Sequence, residues 1–189
     1  RLQILAELRR SSQDTNTVAR LTLAKELFPN HPYGRPVEGT PKSIKAISKS
    51  DLKAFAHERM ARDNLVIGVV GDIGPDDLGR YLDQVFLDLP ASSKASNVKE
   101  AQPRTLGRTK VVEMAVPQSA IVFAQKGLKR DDPDFYKAYV LNHILGGGGF
   151  TSRLYNEIRE KRGLAYSIGS YLYPTNRVGL LRGYSGTAN

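Results

Sequence analysis

Four consecutive glycines at positions 146–149 constrain the fold of this chain more than any other stretch of its sequence. The residues before them have the apolar spacing of a helix, and glycines end a helix because they readily adopt positive φ. A second helix is predicted at 152–162, with Thr151 or Ser152 as its N-cap and Gly163 just past its C-terminus. The chain must therefore break between two helices at the glycines.

The glycine run matches neither of the common phosphate-binding motifs. A P-loop has the pattern G-x-x-x-x-G-K-[ST], but the sixth residue from Gly146 is Thr151, and no Gly-Lys-Ser/Thr follows. The dinucleotide pattern G-x-G-x-x-G fails at the same position and would need a strand before it. We therefore exclude phosphate binding. Two interpretations stay open: the glycines only end a helix, or Gly147 and Gly148 allow a bound chain to approach closely.

Composition narrows the class of protein. Apolar residues make up 40% of the 189 residues, which is enough for a hydrophobic core and argues against global disorder. There is no cysteine, so disulfides and thiolate-bound metals are excluded. No apolar run approaches the roughly 18–20 residues that span a membrane. The net charge of +9 would suit an anionic partner, but the sequence has no specific nucleic-acid-binding motif, so we expect neither nucleic acid nor a membrane span.

Local patterns predict both helices and strands. Apolar residues at helical spacing place a helix at 15–28, and the capping pattern Ser48-x-x-Asp51 and Pro75 each mark the start of another. Strands are predicted from short apolar runs: NLVIGVVGD as a strand buried on both faces, KVVEMAV and SAIVFAQKGL as two strands or one bent strand, and AYSIGSYLY and VGLLRGYSG as two more. The pattern predicts an α+β fold.

The segment 90–108 differs in composition from its surroundings. It is small, polar and basic with few apolar residues, which is typical of a linker between lobes. We therefore predict one lobe in 1–89 and another in 109–189, neither of which looks complete.

The helix predicted at 152–162 ends in basic residues that have two interpretations. Arg159, Lys161 and Arg162 lie in the last turn, where cations are stabilised by the helix dipole. Alternatively, Arg159 and Tyr166 flank the helix end and point at a common cleft. There, the arginine would donate to a peptide carbonyl or carboxylate and the tyrosine would supply a hydroxyl.

No zinc-binding motif is present in this sequence. Zinc peptidases carry H-E-x-x-H or its inverse H-x-x-E-H on a helix, but His57-Glu58 has no second histidine at either spacing. His31 lies in a proline-rich loop, and His143 lies on a helix. We interpret all three histidines as structural or surface residues.

Two longer segments resemble one protein family. LNHILGGGGFTSRLYNEIREKRGLAYSIGSY resembles the C-terminal half of the pitrilysin/insulinase-like zinc metallopeptidases, in particular their processing-peptidase-like bacterial branch. HPYGRPVEGTPKSIKAISKSDLKAFAHERMARDNLVIGVVGDI resembles the end of that family's first half. The resemblance implies two related α/β lobes around a chamber for an unfolded peptide. It makes 1–89 the C-terminal part of the first lobe and 109–189 the N-terminal part of the second, each lobe being only partly present.

The resemblance also implies roles for particular residues. In the family, an arginine and a tyrosine seven positions later help bind substrate at the zinc of the other lobe, and Arg159 and Tyr166 have that spacing. Arg162 would at most assist them. Glu7 is a weak candidate for a distal zinc ligand, and we favour a helix-surface glutamate instead. Since H-x-x-E-H is absent, the family's zinc would belong to a partner subunit or to a region upstream of Arg1, and we expect no cofactor in this chain.

These implications lead to three candidate functions. We favour a non-catalytic partner subunit of a processing-peptidase-like endopeptidase, which binds an extended peptide and pairs with a zinc-bearing homologous subunit. The second candidate is a fragment of a complete zinc endopeptidase whose H-x-x-E-H lies upstream. The third is a non-enzymatic binding or assembly protein. The sequence does not fix the compartment, and we favour the bacterial periplasm over the cytoplasm.

Overall fold

A computed structural model describes residues 1–104, 107 and 109–188. They form two compact units, one made of residues 1–44 with 98–189 and the other of residues 45–97. The α-helices are α1 (Leu2–Ser11), α2 (Thr15–Leu27), α3 (Pro41–Ala46), α4 (Lys49–Arg59), α5 (Pro75–Phe86) and α6 (Phe135–Asn142). The strands are β1 (Gln118–Lys126), β2 (Ser167–Pro174) and β3 (Gly179–Ala188). The predicted mixture of helix and sheet is confirmed.

The larger unit is built on a three-stranded antiparallel sheet with β3 in the centre, in the order β1-β3-β2. Arg182 of β3 lies opposite Ala124 of β1 and Tyr171 of β2. Because neighbours in register point to the same face of a sheet, these three residues share one face. Leu181 and its neighbours in register point to the other.

One core lies between α2 and the sheet. Its buried residues come from the end of α2, from the start of β3 and from the segment that follows residue 97; they are Leu27, Phe28, Ala101, Val178 and Leu180. Leu180 is only 1% exposed. Asp14 begins α2 by accepting a hydrogen bond of 2.7 Å from the backbone N–H of Thr17, as an N-cap residue does. The helix predicted at 15–28 is confirmed.

Two chain segments close this core at one end. His31 accepts a hydrogen bond at Nδ1 from the backbone N–H of Tyr33, and its Nε2 bonds to the carbonyl oxygen of Lys99. The backbone N–H of Arg104 donates to the carbonyl of Leu27, and that of Ala101 to Arg177. Residues 98–104 therefore pack with the larger unit. The lobe boundaries assigned from composition stay a prediction.

The opposite face of the sheet carries α6 and the turn that follows it. Phe135, the first residue of α6, is 2% exposed, and the guanidinium of Arg130 lies 4.6 Å from the centre of its ring. At the other end of α6, Asn142 is hydrogen-bonded to Ser170 of β2. The hydrogen bonds of Asn142 thus fix the C-terminal end of α6 relative to the sheet.

The smaller unit holds α4, α5 and the chain around them. The predicted capping box is confirmed: Ser48 and Asp51 exchange hydrogen bonds at the start of α4, and Pro75 begins α5. The backbone of Arg62 donates to Pro90 and that of Lys94 to Glu58, so the chain after α5 returns to the end of α4.

Two predicted strands are not formed. The run NLVIGVVGD has no regular structure, and Val66 and Val70 are exposed, so the prediction of a strand buried on both faces was wrong. A strand needs neighbours for its N–H and C=O groups, and the described residues of this unit supply none. The segment KVVEMAV, before Pro117, also has no regular structure. Of the two segments predicted around this proline, only the one after it forms a strand, which is β1.

None of the helices among the described residues is both long enough and apolar enough to cross a membrane.

Asp14→Ala removes the N-cap of α2 and is expected to lower the free energy of unfolding by about 1 kcal/mol at neutral pH. Hydrogen bonds from the Thr17 side chain and backbone hold the pKa of Asp14 below its ordinary value. The stabilisation is therefore complete above the unfolded pKa of about 4 and is lost as the pH falls through the lower folded value. Urea unfolding across this pH range measures it.

The control is Asp14→Asn, which keeps a side-chain acceptor but does not titrate. At neutral pH, this variant should have nearly the same free energy of unfolding as the parent chain. As the pH falls, it should lose less stability than the parent chain, because it has no carboxylate at position 14 to become protonated. An Asn variant as unstable as the Ala variant at neutral pH would contradict the capping role.

Candidate functional site

The four glycines form a compact turn between α6 and the next helical segment. Residues His143–Gly147 make one π-helical turn, closed by a 2.8 Å hydrogen bond from the backbone N–H of Gly148 to the carbonyl of His143. A short 3₁₀ turn, Gly149–Thr151, follows. Gly149 has φ of +59°, which L-residues with side chains rarely adopt. The glycines therefore do end the helix, as predicted.

A buried pair of polar side chains explains why glycine is also needed at positions 146 and 147. Ser170 donates from Oγ to Oδ1 of Asn142 at 2.8 Å, and Nδ2 of Asn142 donates to the carbonyl of Ser170 at 3.2 Å. A Cβ on Gly146 would collide with the Oγ and backbone N of Ser170, and one on Gly147 would lie 2.7 Å from Nδ2 of Asn142. At Gly146 the turn thus approaches β2 too closely for any side chain, and at Gly147 a side chain would collide with Asn142.

The glycine turn leaves its two candidate binding residues partly accessible. Gly147 is exposed and Gly148 is partly buried, whereas Gly146 is buried against β2. The role of Gly147 and Gly148 in binding a chain stays a prediction, because packing against β2 accounts for only part of the run.

The helical segment after the turn is wound more widely than predicted. Its central residues Tyr155–Glu160 form a π-helix, where an α-helix over 152–162 was expected. Ser152 caps it, accepting from the backbone N–H of Tyr155 at 3.4 Å. Gly163 ends it with φ of +63°, and the backbone N–H of Leu164 donates to the carbonyl of Ile158. Both predicted ends are confirmed.

Arg159 lies on this π-helix and is held by an aromatic stack. Its guanidinium carbon is 4.7 Å from the ring centre of Tyr155. Tyr155 in turn meets Phe150 of the glycine turn edge-to-face, with ring centres 5.0 Å apart. Arg159 is partly buried, so the stack limits its freedom and leaves part of the side chain accessible. We call Phe150, Tyr155 and Arg159 the arginine stack.

Tyr166 lies at the entrance to β2. Its side chain is 58% exposed, whereas its backbone N–H is fixed by a 2.8 Å hydrogen bond to Gly186 of β3. Within the described residues, no hydrogen bond or ring contact joins the side chain of Tyr166 to that of Arg159. Their convergence on a common cleft therefore stays a prediction.

The other basic residues at the helix end fit the surface interpretation. Lys161 donates to Glu157 at 2.6 Å, and this hydrogen bond lowers the pKa of the Glu157 carboxyl. Arg162 is exposed next to Gly163 and adds to the positive potential at Glu157. Neither Lys161 nor Arg162 stacks on an aromatic ring in the described residues, which distinguishes them from Arg159.

The side chains present do not fit a zinc site. No group of three His, Asp or Glu residues in the described part of the chain could hold a metal ion. Glu7, the weak candidate for a distal ligand, pairs with Arg10 at 2.6 Å on the exposed surface of α1. His31 has both ring nitrogens occupied by backbone groups. No catalytic step through zinc is therefore assigned to this chain.

Two features of the site were not predicted from the sequence. The pairing of Asn142 with Ser170 joins residues far apart in the chain, and no local signal marks it. The stack of Arg159 on Tyr155 had a signal, because residues four apart lie on one side of a helical segment.

Comparison with known proteins identifies the family. The family model described as the peptidase M16 inactive domain matches residues 46–189. This chain belongs to that family. The match covers the smaller unit from its second residue onwards, the whole sheet, the glycine turn and the arginine stack. The predicted family resemblance is confirmed.

Relatives with assigned names are similar over most of this chain. It is 32% identical over 165 residues to the uncharacterized zinc protease YmxG of Bacillus subtilis, a match that covers 87% of this chain and 39% of the relative. It is 34% identical over 167 residues to the non-peptidase homolog YmxG of Helicobacter pylori, covering 88% and 38%. The chain thus spans about two fifths of the length of these relatives.

A crystal structure of the M16 inactive domain from Pseudomonas fluorescens has the same fold. It superposes with a TM-score of 0.84 at 35% sequence identity, covering 98% of this chain and 45% of that one. The predicted fold class, the α+β architecture of the insulinase-like metallopeptidases, is confirmed.

Ser170→Ala is expected to lower the free energy of unfolding by about 1–3 kcal/mol, because Oδ1 of the buried Asn142 loses its donor. Chemical denaturation measures the change. Ser167→Ala, at the exposed start of the same strand, is the matched control and should have little effect. Equal effects of the two substitutions would contradict the role of the buried pair.

Proposed function

We propose that this chain is the peptide-binding part of a processing-peptidase-like member of the M16 family. Arg159 and Tyr166 bind the backbone or a carboxylate of an extended peptide, and peptide-bond hydrolysis takes place at zinc held elsewhere. The observation that carries the proposal is the arginine stack. It presents a partly accessible guanidinium from a π-helix, an element that often occurs at functional sites.

The position of Tyr166 supports the same function. It leads into β2, which is an edge strand of the described sheet. An extended peptide pairs readily with such an edge, because the outer N–H and C=O groups of an edge strand have no partner in the sheet. A peptide that lies along β2 would begin or end beside the exposed tyrosine ring. In the adjacent glycine turn, the exposed Gly147 has no side chain that would obstruct such a peptide.

Among the forms that this function can take, we favour a non-catalytic partner subunit. The chain has no H-x-x-E-H motif, and the described residues hold no cluster of metal ligands. The family description as an inactive domain and the name of the Helicobacter pylori relative as a non-peptidase homolog support this choice. Its partner would be a homologous subunit that carries zinc, in a heterodimer, and we favour the bacterial periplasm as its compartment.

The second candidate is a complete zinc endopeptidase that contains this chain. The name of the Bacillus subtilis relative as a zinc protease supports it, and the chain spans only 39% of that relative. Metal analysis of a purified longer protein that contains this chain distinguishes the endopeptidase from the partner subunit. Zinc bound by that protein alone favours the endopeptidase, whereas zinc found only after co-purification with a homologous subunit favours the partner subunit. A longer protein that binds peptide without either zinc source would be a binding or assembly protein.

Arg159→Ala is expected to weaken peptide binding by about tenfold, because the guanidinium is the main charged donor proposed to meet the peptide. The probe is an unstructured peptide without acidic residues and with an amidated C-terminus, labelled with a neutral BODIPY dye that has no free carboxylate and followed by fluorescence anisotropy. Arg153→Ala removes an exposed arginine from the same helical segment and serves as the matched control.

Arg159→Lys separates binding from stability, since lysine keeps the charge but loses the planar fork. It should bind peptide with intermediate affinity while unfolding at nearly the parent temperature. Binding that is equally strong in the parent chain, Arg159→Ala and Arg153→Ala would overturn the proposed role of Arg159.

A further inference from the structure

A second candidate site lies on the face of the sheet that packs against α2. A cavity of about 160 Å³ opens between the helix and the strands. Its lining includes two arginines, Arg20 and Arg182, and the rings of Tyr171 and Tyr184. All of its lining residues belong to the larger unit, and none of them is an aspartate or glutamate. The cavity therefore has positively charged walls without a carboxylate among them.

Arg182 is held in place but incompletely paired. It lies in the middle of the central strand β3, and its guanidinium carbon is 4.4 Å from the ring centre of Tyr173. Its Nε is fully buried and has no hydrogen-bond partner among the described residues. Buried N–H donors are nearly always paired in folded proteins, so an unpaired one beside a cavity indicates a missing acceptor. The π-face of Tyr173 stabilises the charge but accepts no hydrogen bond from Nε.

Arg20 faces the same cavity from α2 but is less available. It is exposed and donates to the hydroxyl of Thr17 at 3.3 Å, and it lies within electrostatic range of Asp14. These neighbours screen its charge in part. Arg20 is therefore a secondary contact that raises affinity, whereas Arg182 supplies the primary donor.

We propose that this cavity binds a carboxylate group. A carboxylate accepts two parallel hydrogen bonds from the Nε and one Nη of an arginine, which would pair the buried Nε of Arg182. Its charge would also be opposite to that of the two arginines that line the cavity. The volume suits a carboxylate on a short chain, such as an acidic side chain, a peptide C-terminus or a small free acid, and is below that of a drug-sized pocket.

This inference is independent of the proposed peptide role of Arg159. The peptide probe used for Arg159 carries no carboxylate, so the failure of one experiment leaves the other untouched.

The test is NMR titration of the full chain, which follows the ¹⁵Nε–H signal of Arg182. The probes are N-acetyl-glutamate α-amide for an acidic side chain, N-acetylglycine for a chain terminus and glutarate for a free acid. N-acetyl-glutamine α-amide is the neutral counterpart of the first, and inorganic phosphate tests for general anion binding. At constant ionic strength, we expect at least one carboxylate to shift the Arg182 signal saturably, and its identity tells which source the site prefers.

Three variants complete the experiment. Arg182→Gln, followed through the backbone amide signals of the cavity-lining residues Tyr171 and Gly183, should abolish binding. Arg20→Gln, on the exposed face of α2, should weaken it by about tenfold without changing the unfolding temperature, and this variant keeps the test decisive if Arg182→Gln does not fold. Arg130→Gln is the matched control, because Arg130 also stacks on an aromatic ring but lies outside the cavity.

The outcomes that would overturn the proposal are distinct. They are a shift that does not saturate, equal binding of the neutral glutamine amide, binding of phosphate as tight as that of every carboxylate, and binding unaffected by Arg20→Gln.

Discussion

Burial of the central strand β3 on both faces organises the larger unit. On one face, Leu180 packs against the end of α2, and on the other, α6 and the glycine turn lie against the sheet. Neither α2 nor α6 is adjacent to β3 in sequence. Residues 1–44 and 98–189 form a single unit although more than fifty residues separate them. The sheet therefore depends on helices that a division by composition would assign to another lobe.

The glycine turn follows from the same constraint. To cover β2, the chain after α6 must pass within contact distance of Ser170, and the Asn142–Ser170 pair already fills that space. Only backbone without a side chain fits at Gly146, which explains this part of the glycine run without any ligand. A phosphate-binding interpretation would demand amides that point into solvent, whereas Gly146 is buried against a strand. The close approach also fixes where the next helical segment starts, and hence where Arg159 is presented.

Features with local causes were predictable from the sequence, and features with distant causes were not. The cap at Ser48, the proline at the start of α5 and the glycine at the end of the π-helix all act within one helical turn, and each appears where its pattern predicts. The run NLVIGVVGD failed for the opposite reason. Its Val and Ile residues favour a strand, but a strand forms only with a partner, and apolar composition carries no information on whether that partner is present. The cavity beside Arg182 could likewise not be predicted from the sequence, because it forms only where α2 packs against β3.

The two proposals depend on two arginines that make the same kind of interaction, a cation–π contact with a tyrosine ring, in different surroundings. Arg159 and Arg182 both lie over tyrosine rings at similar distances, 4.7 and 4.4 Å. The stack reduces the side-chain entropy that a ligand would otherwise have to overcome, since the guanidinium is already oriented. The two arginines differ in the space around their guanidinium groups. Arg159 lies on a helical segment near a sheet edge, where a long chain can pass, whereas Arg182 lies within the sheet beside a small cavity of about 160 Å³, where only a small group fits. Under the two proposals, the shape around each guanidinium, rather than the charge itself, would select an extended peptide at Arg159 and an isolated carboxylate at Arg182.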